Sequence, residues 1–169
     1  KEGLAFVHNC LVGFGLRQQI RVFASGKITT GFHIFKTIAL GANACYSARA
    51  MMMALGCIQA LECNKNTCPT GVATQDPELV KGLVVADKTM RIANYHAETL
   101  KSFVELMAAA GIDHPSKINR SHIFRRINQY EVRRYDEIFP YIPADCLLNA
   151  NTVPQEWQHY WQVADANKF

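Results

Sequence analysis

The sequence predicts an α/β segment followed by a mainly helical tail. Three observations carry this. Two short apolar runs, IRVFAS and ANACYS, have strand character, and each is followed by a helix-period segment. A long helical run, KTMRIANYHAETLKSFVELMAAAG, follows with no further strand between it and the second of them. Beyond it, prolines break the chain repeatedly.

Along the chain, Leu4, Val7, Leu11 and Val12 recur at helical spacing within residues 1–18, and Gly13 and Gly15 loosen the end. IRVFAS (20–25) reads as a short buried strand. TGFHIFKTIAL (30–40) reads as a helix with Ile34, Phe35, Ile38 and Ala39 inward and Gly41 as C-cap. ANACYS (42–47) is the second strand, and ARAMMMALGCI (48–58) is rich in helix formers. Asp87 is placed to cap a helix over 88–111 that Gly111 ends, with Met90, Ala93, Ala97, Leu100, Val104 and Met107 as its apolar face. Ser121 is placed to cap a short helix carrying Ile123 and Phe124. Pro140 and Pro143 interrupt the next segment, and Trp157 and Trp161 predict a terminal amphipathic helix.

Strand, helix, strand, helix at this spacing implies parallel strands. Two such strands do not make a stable sheet alone, and a closed (β/α)8 barrel takes about 250 residues. The expected fold is therefore the C-terminal part of a TIM-type barrel, its last two strands, in residues 1–85, with a helical extension in 86–169. Residue 1 is Lys, not Met. We expect a piece of a longer protein, helix-rich when isolated, whose open strand edges drive self-association.

Composition narrows the function. The chain has 169 residues, 49 % hydrophobic and 19 % charged, enough for a real core. A net charge of +4 without a long Lys/Arg run does not favour nucleic acid. The longest apolar run is too short for a membrane span, and the start has no signal-peptide pattern, so a cytoplasmic location is expected. Arg125, Arg126, Arg133 and Arg134 read as a solvated helix face, the six histidines as surface or satisfied core residues, and Met51, Met52 and Met53 as core.

Six cysteines divide into two groups. Cys10, Cys45 and Cys146 are scattered in apolar settings and read as buried thiols. Cys57, Cys63 and Cys68 are clustered. One regular helix cannot converge all three, so the chain must leave the helix between them. Asn64, Asn66, Pro69 and Gly71 supply that turn chemistry. Backbone N–H groups and the Thr67 hydroxyl can then face inorganic sulfide, and a Cys followed by Pro occurs in ferredoxin-type runs. Three ligands suit a three-iron cluster. Plain structural thiols, zinc and a Cys63–Cys68 disulfide are the other readings of this spacing.

The segment ALGCIQALECNKNTCPTGVATQDPEL resembles the cluster segment of the FMN-binding glutamate synthase family, where C-x5-C-x4-C binds a 3Fe-4S cluster. RVFASGKITTGFHIFKTIALGANACYSARAMMMALGC resembles the family's strand–helix–strand–helix unit that carries the flavin phosphate. The resemblance implies that Cys57, Cys63 and Cys68 ligate the cluster and that Ser25, Gly26, Lys27, Ala48 and Arg49 hold the FMN phosphate. The chemistry is sensible: Gly26 lets backbone N–H groups approach a phosphate, Lys27 and Arg49 add charge, and a helix opening at Ala48 aims its dipole there. An ordinary βα turn is the plainer reading of Ser-Gly-Lys. The resemblance assigns no catalytic residue.

It further implies a flavoprotein oxidoreductase that forms L-glutamate from 2-oxoglutarate and nitrogen from ammonia or glutamine. Electrons would come from ferredoxin or a reduced nicotinamide partner, through the cluster, to FMN. Ser25-Gly26-Lys27 stands where larger members have an acidic residue and paired glycines, and Asn64 where they have His. The pattern is thus closer to the shorter, stand-alone members. The alternative is a truncated, catalytically silent chain acting as a structural or three-cysteine metal-binding module.

Overall fold

The structure is a computed structural model and describes residues 2–168. Helix α1 spans Glu2–Gly13, strand β1 Phe23–Ser25, helix α2 Gly31–Ala39, strand β2 Ala44–Tyr46 and helix α3 Ala48–Leu55. The short helix α4 (Pro77–Val80) precedes the long helix α5 (Val85–Ala109). Strands β3 (Phe124–Arg126) and β4 (Val132–Arg134), helix α6 (Tyr135–Ile138) and helix α7 (Gln158–Val163) complete the chain. The architecture is mixed helix and strand, dominated by helix. Among the described residues there are two two-stranded sheets, β1 beside β2 and β3 beside β4.

The chain forms two compact units. One comprises Ser25–Phe35 and Cys45–Lys117. Its helices α3 and α5 pack together, and the Phe35 and Phe103 rings meet edge to face at 6.4 Å. The buried face of α5 carries Phe103 and Met107, with Ile92, Tyr95 and Thr99 half-buried above them. The Tyr95 hydroxyl donates to the Thr29 carbonyl at 2.6 Å. The apolar stripe expected from periodicity is therefore displaced. Met90, Leu100 and Val104 are exposed, and only Met107 of the expected set is buried. The helix also starts earlier than expected: Val84, not Asp87, is its N-cap, and Asp87 lies in the first turn.

The other unit takes the stretch ending at Ala24, Lys36–Ala44 and the stretch from Ile118 onward. Ile142, Cys146, Leu147, Val153 and Trp157 form its core, with Cys10 packed against them. Phe6 stacks on Trp157 with ring centroids 4.8 Å apart. Arg120 is wholly buried. Its guanidinium donates to the Phe139, Pro140 and Ala5 carbonyls and to Asn9 Oδ1, and lies 4.2 Å from the Tyr141 ring centroid.

Several sequence expectations change here. Asn119 rather than Ser121 caps a 3-10 turn, Arg120–His122, and Ile123 leads into β3 rather than a helix. Arg125, Arg126, Arg133 and Arg134 lie on the β3–β4 ribbon, not on a helix face. The expected terminal helix is short: Trp157 is buried in a preceding 3-10 turn, and α7 holds only Trp161 of the pair. No helix among the described residues is long and apolar enough to cross a membrane.

Candidate cofactor site

The site begins with how α3 ends. Gly56 takes a left-handed conformation, φ 112°, and its N–H and that of Cys57 bond back to the Met53 and Met52 carbonyls at 2.9 and 3.0 Å. This is the paired bonding of a Schellman cap, which a residue with a Cβ adopts at a cost. The helix therefore stops at Leu55, two residues before Cys57, and hands that cysteine to a loop. The expected helix over 48–58 is shortened for this reason.

Gln59, Leu61 and Asn66 in that loop are also left-handed, with φ near 60°. Two anchors hold it. Asn66 Oδ1 accepts from the Gln75 N–H at 2.7 Å, and the Thr74 hydroxyl donates to the Asn66 carbonyl at 2.6 Å. Glu62 accepts from the Thr67 hydroxyl at 2.9 Å and pairs with Lys65 at 3.2 Å. Thr67 is thus committed to Glu62 rather than turned toward a ligand. Gly71 brings its backbone against the Leu79 carbonyl, where a Cβ would collide.

Cys68 is the most specialised of the six thiols. The Thr70 hydroxyl lies 3.5 Å from its sulfur. That hydroxyl, followed by the backbone N–H groups of Ala73, Thr70 and Val72, lowers the thiol pKa to about 7. Hydrogen bonds to the charged form favour the thiolate, the form that ligates metal. Burial pushes the Cys10, Cys45 and Cys146 thiols the other way. Cys63 is exposed and Cys57 half-buried, with the Gln59 N–H 3.4 Å from the Cys57 sulfur.

All eight residues singled out in the sequence line one cavity of about 790 Å³, within a single compact unit. Cys57, Cys63 and Cys68 share it with Ser25, Gly26, Lys27, Ala48 and Arg49. Gly26 (φ 123°) and Lys27 (φ 55°) form a sharp turn after β1, and among the described residues no atom other than those of its chain neighbours lies within 4 Å of where a Gly26 Cβ would stand. Ser47 precedes α3 but does not cap it. Its hydroxyl donates to the Ile28 carbonyl at 2.7 Å, so the first-turn N–H groups of α3 receive no side-chain cap from it. An uncapped helix start with two cations beside it is suited to an anion. Among the described residues, neither Lys27 nor Arg49 lies within ion-pair distance of a carboxylate.

Three thiols lining one cavity are soft donors of the kind that iron–sulfur clusters take. Ligands of one zinc ion stand about 3.8 Å apart. Among the described residues no three His, Cys, Asp or Glu side chains gather so tightly. Cys57, Cys63 and Cys68 all line the cavity, so a group that binds one cysteine per iron would find its donors there. Sequence reasoning missed Glu62 and Thr70. Glu62 carries no motif, and Thr70 is visible only through its distance to Cys68. Met52, expected as core, lines the cavity.

The conserved region in glutamate synthase matches residues 1–113. The glutamate synthase large subunit-like protein YerD of Bacillus subtilis is 42 % identical over 135 residues, which are 80 % of this chain and 26 % of the relative. An archaeal NADPH glutamate synthase of Methanocaldococcus jannaschii is 44 % identical over 99 residues, 59 % of this chain and 19 % of its own. The large chain of the Bacillus subtilis NADPH glutamate synthase is 38 % identical over 109 residues, 64 % of this chain and 7 % of its own. The chain thus spans about a quarter or less of the length of these relatives. A family match over most of the chain, relatives of this similarity and a cavity that gathers the family-like residues agree: the chain belongs to the glutamate synthase family.

Proposed function

We propose that this chain supplies the iron–sulfur ligands and the FMN phosphate site of a glutamate-forming oxidoreductase. The observation that carries the reading is the shared cavity, which Cys57, Cys63 and Cys68 line together with Gly26, Lys27 and Arg49. Cys57, Cys63 and Cys68 hold a 3Fe-4S cluster, and Cys68 reaches its thiolate form near neutral pH because of Thr70 and the N–H groups behind it. Ser25, Gly26 and Lys27, with the start of α3 at Ala48 and Arg49, hold the flavin phosphate. When bound, the cluster supplies one-electron transfer and the flavin supplies hydride transfer.

Residues 1–85 form the last two strands of a (β/α)8 barrel with the cluster loop, and 86–169 are its C-terminal extension. The nitrogen acceptor is 2-oxoglutarate, the nitrogen comes from ammonia or glutamine, and the electrons come from a ferredoxin or a reduced nicotinamide partner. The relatives' names, glutamate synthase with NADPH, support glutamate as the product and a reduced nicotinamide as the donor.

Anaerobic purification of the complete protein tests the reading through metal and flavin content. About three irons per chain are expected, one for each cysteine ligand. Cys63→Ser should abolish the iron and the brown colour, and Cys146→Ser should keep both. Gly26→Val should empty the flavin site and leave most of the iron. Iron-free protein, or flavin content unchanged in Gly26→Val, would sink the corresponding half.

A further inference from the structure

The β3–β4 ribbon lies outside the stretch that matches the conserved glutamate synthase region, and the cofactor site makes no use of it. Residues 124–134, FRRINQYEVRR, hold four arginines against one carboxylate, Glu131. The strands pair antiparallel, Phe124 with Arg134, Arg125 with Arg133 and Arg126 with Val132. All six residues are exposed, so both faces of the ribbon meet solvent. Its base is firmly held. Ile123 and Tyr135 are buried, and the Tyr135 N–H bonds the Ile123 carbonyl at 2.8 Å.

A free two-stranded ribbon is marginal in water, and like charges directly opposite weaken it further. Arg125 and Arg133 stand in that relation. The two strands differ in how their charge is met. Arg133 pairs with Glu131, and Arg134 with Asp136 and Glu137. Among the described residues, Arg125 and Arg126 of β3 have no carboxylate at ion-pair distance. Phe124 is 63 % and Val132 55 % exposed, and Tyr130 at the tip is 91 % exposed.

The register also assigns the backbone. Bonds at Tyr135–Ile123 and Ile127–Glu131 mark the hydrogen-bonded pairs. Alternation makes Arg125–Arg133 another such pair, so the N–H and C=O groups of Phe124 and Arg126 point away from β4. Among the described residues, the outer edge of β3 thus offers backbone groups that β4 does not pair, two guanidiniums without a carboxylate partner and the neighbouring Phe124 side chain. Arginine with aromatic residues and no lysine is a composition enriched at protein interfaces.

We propose that the outer edge of β3 is a docking site for an acidic, extended segment of a partner protein. The segment adds as a third strand. Its backbone bonds Phe124 and Arg126; on one face its carboxylates meet Arg125, and on the other its apolar side chains cover Phe124 beside Arg126.

The full chain should be titrated with a short peptide alternating Glu and Val. One control is the same composition interrupted by Pro, which cannot form a strand; the other is a single-stranded oligonucleotide of equal charge. The alternating peptide should bind in a salt-sensitive way, and Arg125→Glu with Arg126→Glu should weaken it by about tenfold or more. In the unmutated chain, the amide hydrogens of Phe124 and Arg126 should gain exchange protection when peptide is added, a readout that does not depend on the variant folding. No peptide binding, equal binding of the Pro-containing control, unchanged exchange at Phe124 and Arg126, or tighter binding of the oligonucleotide would each overturn the proposal.

Discussion

His8 sits in an unusual place for an imidazole. Arg17 Nε donates to its Nδ1 at 3.1 Å, and the Tyr141 ring meets it edge-on at 6.2 Å. Burial, then the charges of Arg120 and Arg17, lower its pKa from 6.5 to about 4. The folded state therefore resists a proton that the unfolded chain accepts. Above pH 6.5 both states are neutral and His8 adds no pH dependence. As pH falls from 6.5 toward 4, stability must fall, because the unfolded state binds more protons. Thermal midpoints measured from pH 7.5 to 4 should decline in the wild type and decline less in His8→Gln; equal slopes would remove His8 as the cause. Arg120 beside it is a stronger structural element. Replacing it with Leu takes a donor from the Phe139, Pro140 and Ala5 carbonyls and from Asn9 Oδ1, with only Pro140 still served by Asn9 Nδ2 at 2.8 Å among the side-chain donors, which should cost about 3 kcal/mol or more in chemical denaturation. Neither cluster was legible in the sequence, since Arg120 and Asn9 meet only through long-range packing. The thiols were more legible. Spacing separated Cys57, Cys63 and Cys68 from Cys10, Cys45 and Cys146, but burial does not follow that division: Cys146 and Cys68 are buried while Cys10 and Cys45 are half-buried, and Thr70 became visible only in three dimensions.

Secondary structure was read best where a local rule decides it. Gly111 ends α5 as expected: its N–H bonds the Ala108 carbonyl at 3.0 Å and the next N–H, of Ile112, bonds the Met107 carbonyl at 2.8 Å. Gly41 does the same for α2, with bonds from Gly41 and Ala42 to the Ile38 and Thr37 carbonyls. Reading failed where two answers share one pattern. Helix α5 carries two stripes with helical period, and periodicity alone does not choose between them. Tyr95 bonding Thr29 and Phe103 meeting Phe35 decide the packed one. Arginines 125 and 126, read as a helix face, became a strand because the segment pairs with 132–134, a choice made by tertiary contact. Gly56 was overlooked as a stop although it places Cys57. Gly56→Ala should cost about 1 kcal/mol of stability, from forcing a Cβ into the left-handed region. In the complete protein it should also lower iron content while leaving Cys57 present. Full iron occupancy with lower stability would mean that the cap serves the helix alone.

At the scale of the whole chain, the stripe that α5 does not bury needs an explanation. Met90, Leu100 and Val104 are 60 %, 43 % and 59 % exposed, with the small residues Ala93 and Ala97 between them on the same side. Positions 90, 93, 97, 100 and 104 alternate steps of three and four, the spacing of a helix–helix seam. Alanines there let a second helix approach closely, and covering the larger side chains returns about 25 cal/mol for each Å² removed from water. In the 169-residue chain alone, a second copy is the available cover. The chain should therefore run above its monomer mass of 19.0 kDa in light scattering at micromolar concentration. Leu100→Glu with Val104→Glu should return it to monomer mass without loss of helix signal, because neither side chain is buried. A wild-type chain that is already monodisperse at 19.0 kDa would sink this prediction. In a longer protein carrying this sequence, the remainder of that protein can take the place of the second copy. The same double substitution would then lower the thermal midpoint of the longer protein rather than its mass, so the two measurements together tell self-association from an internal interface.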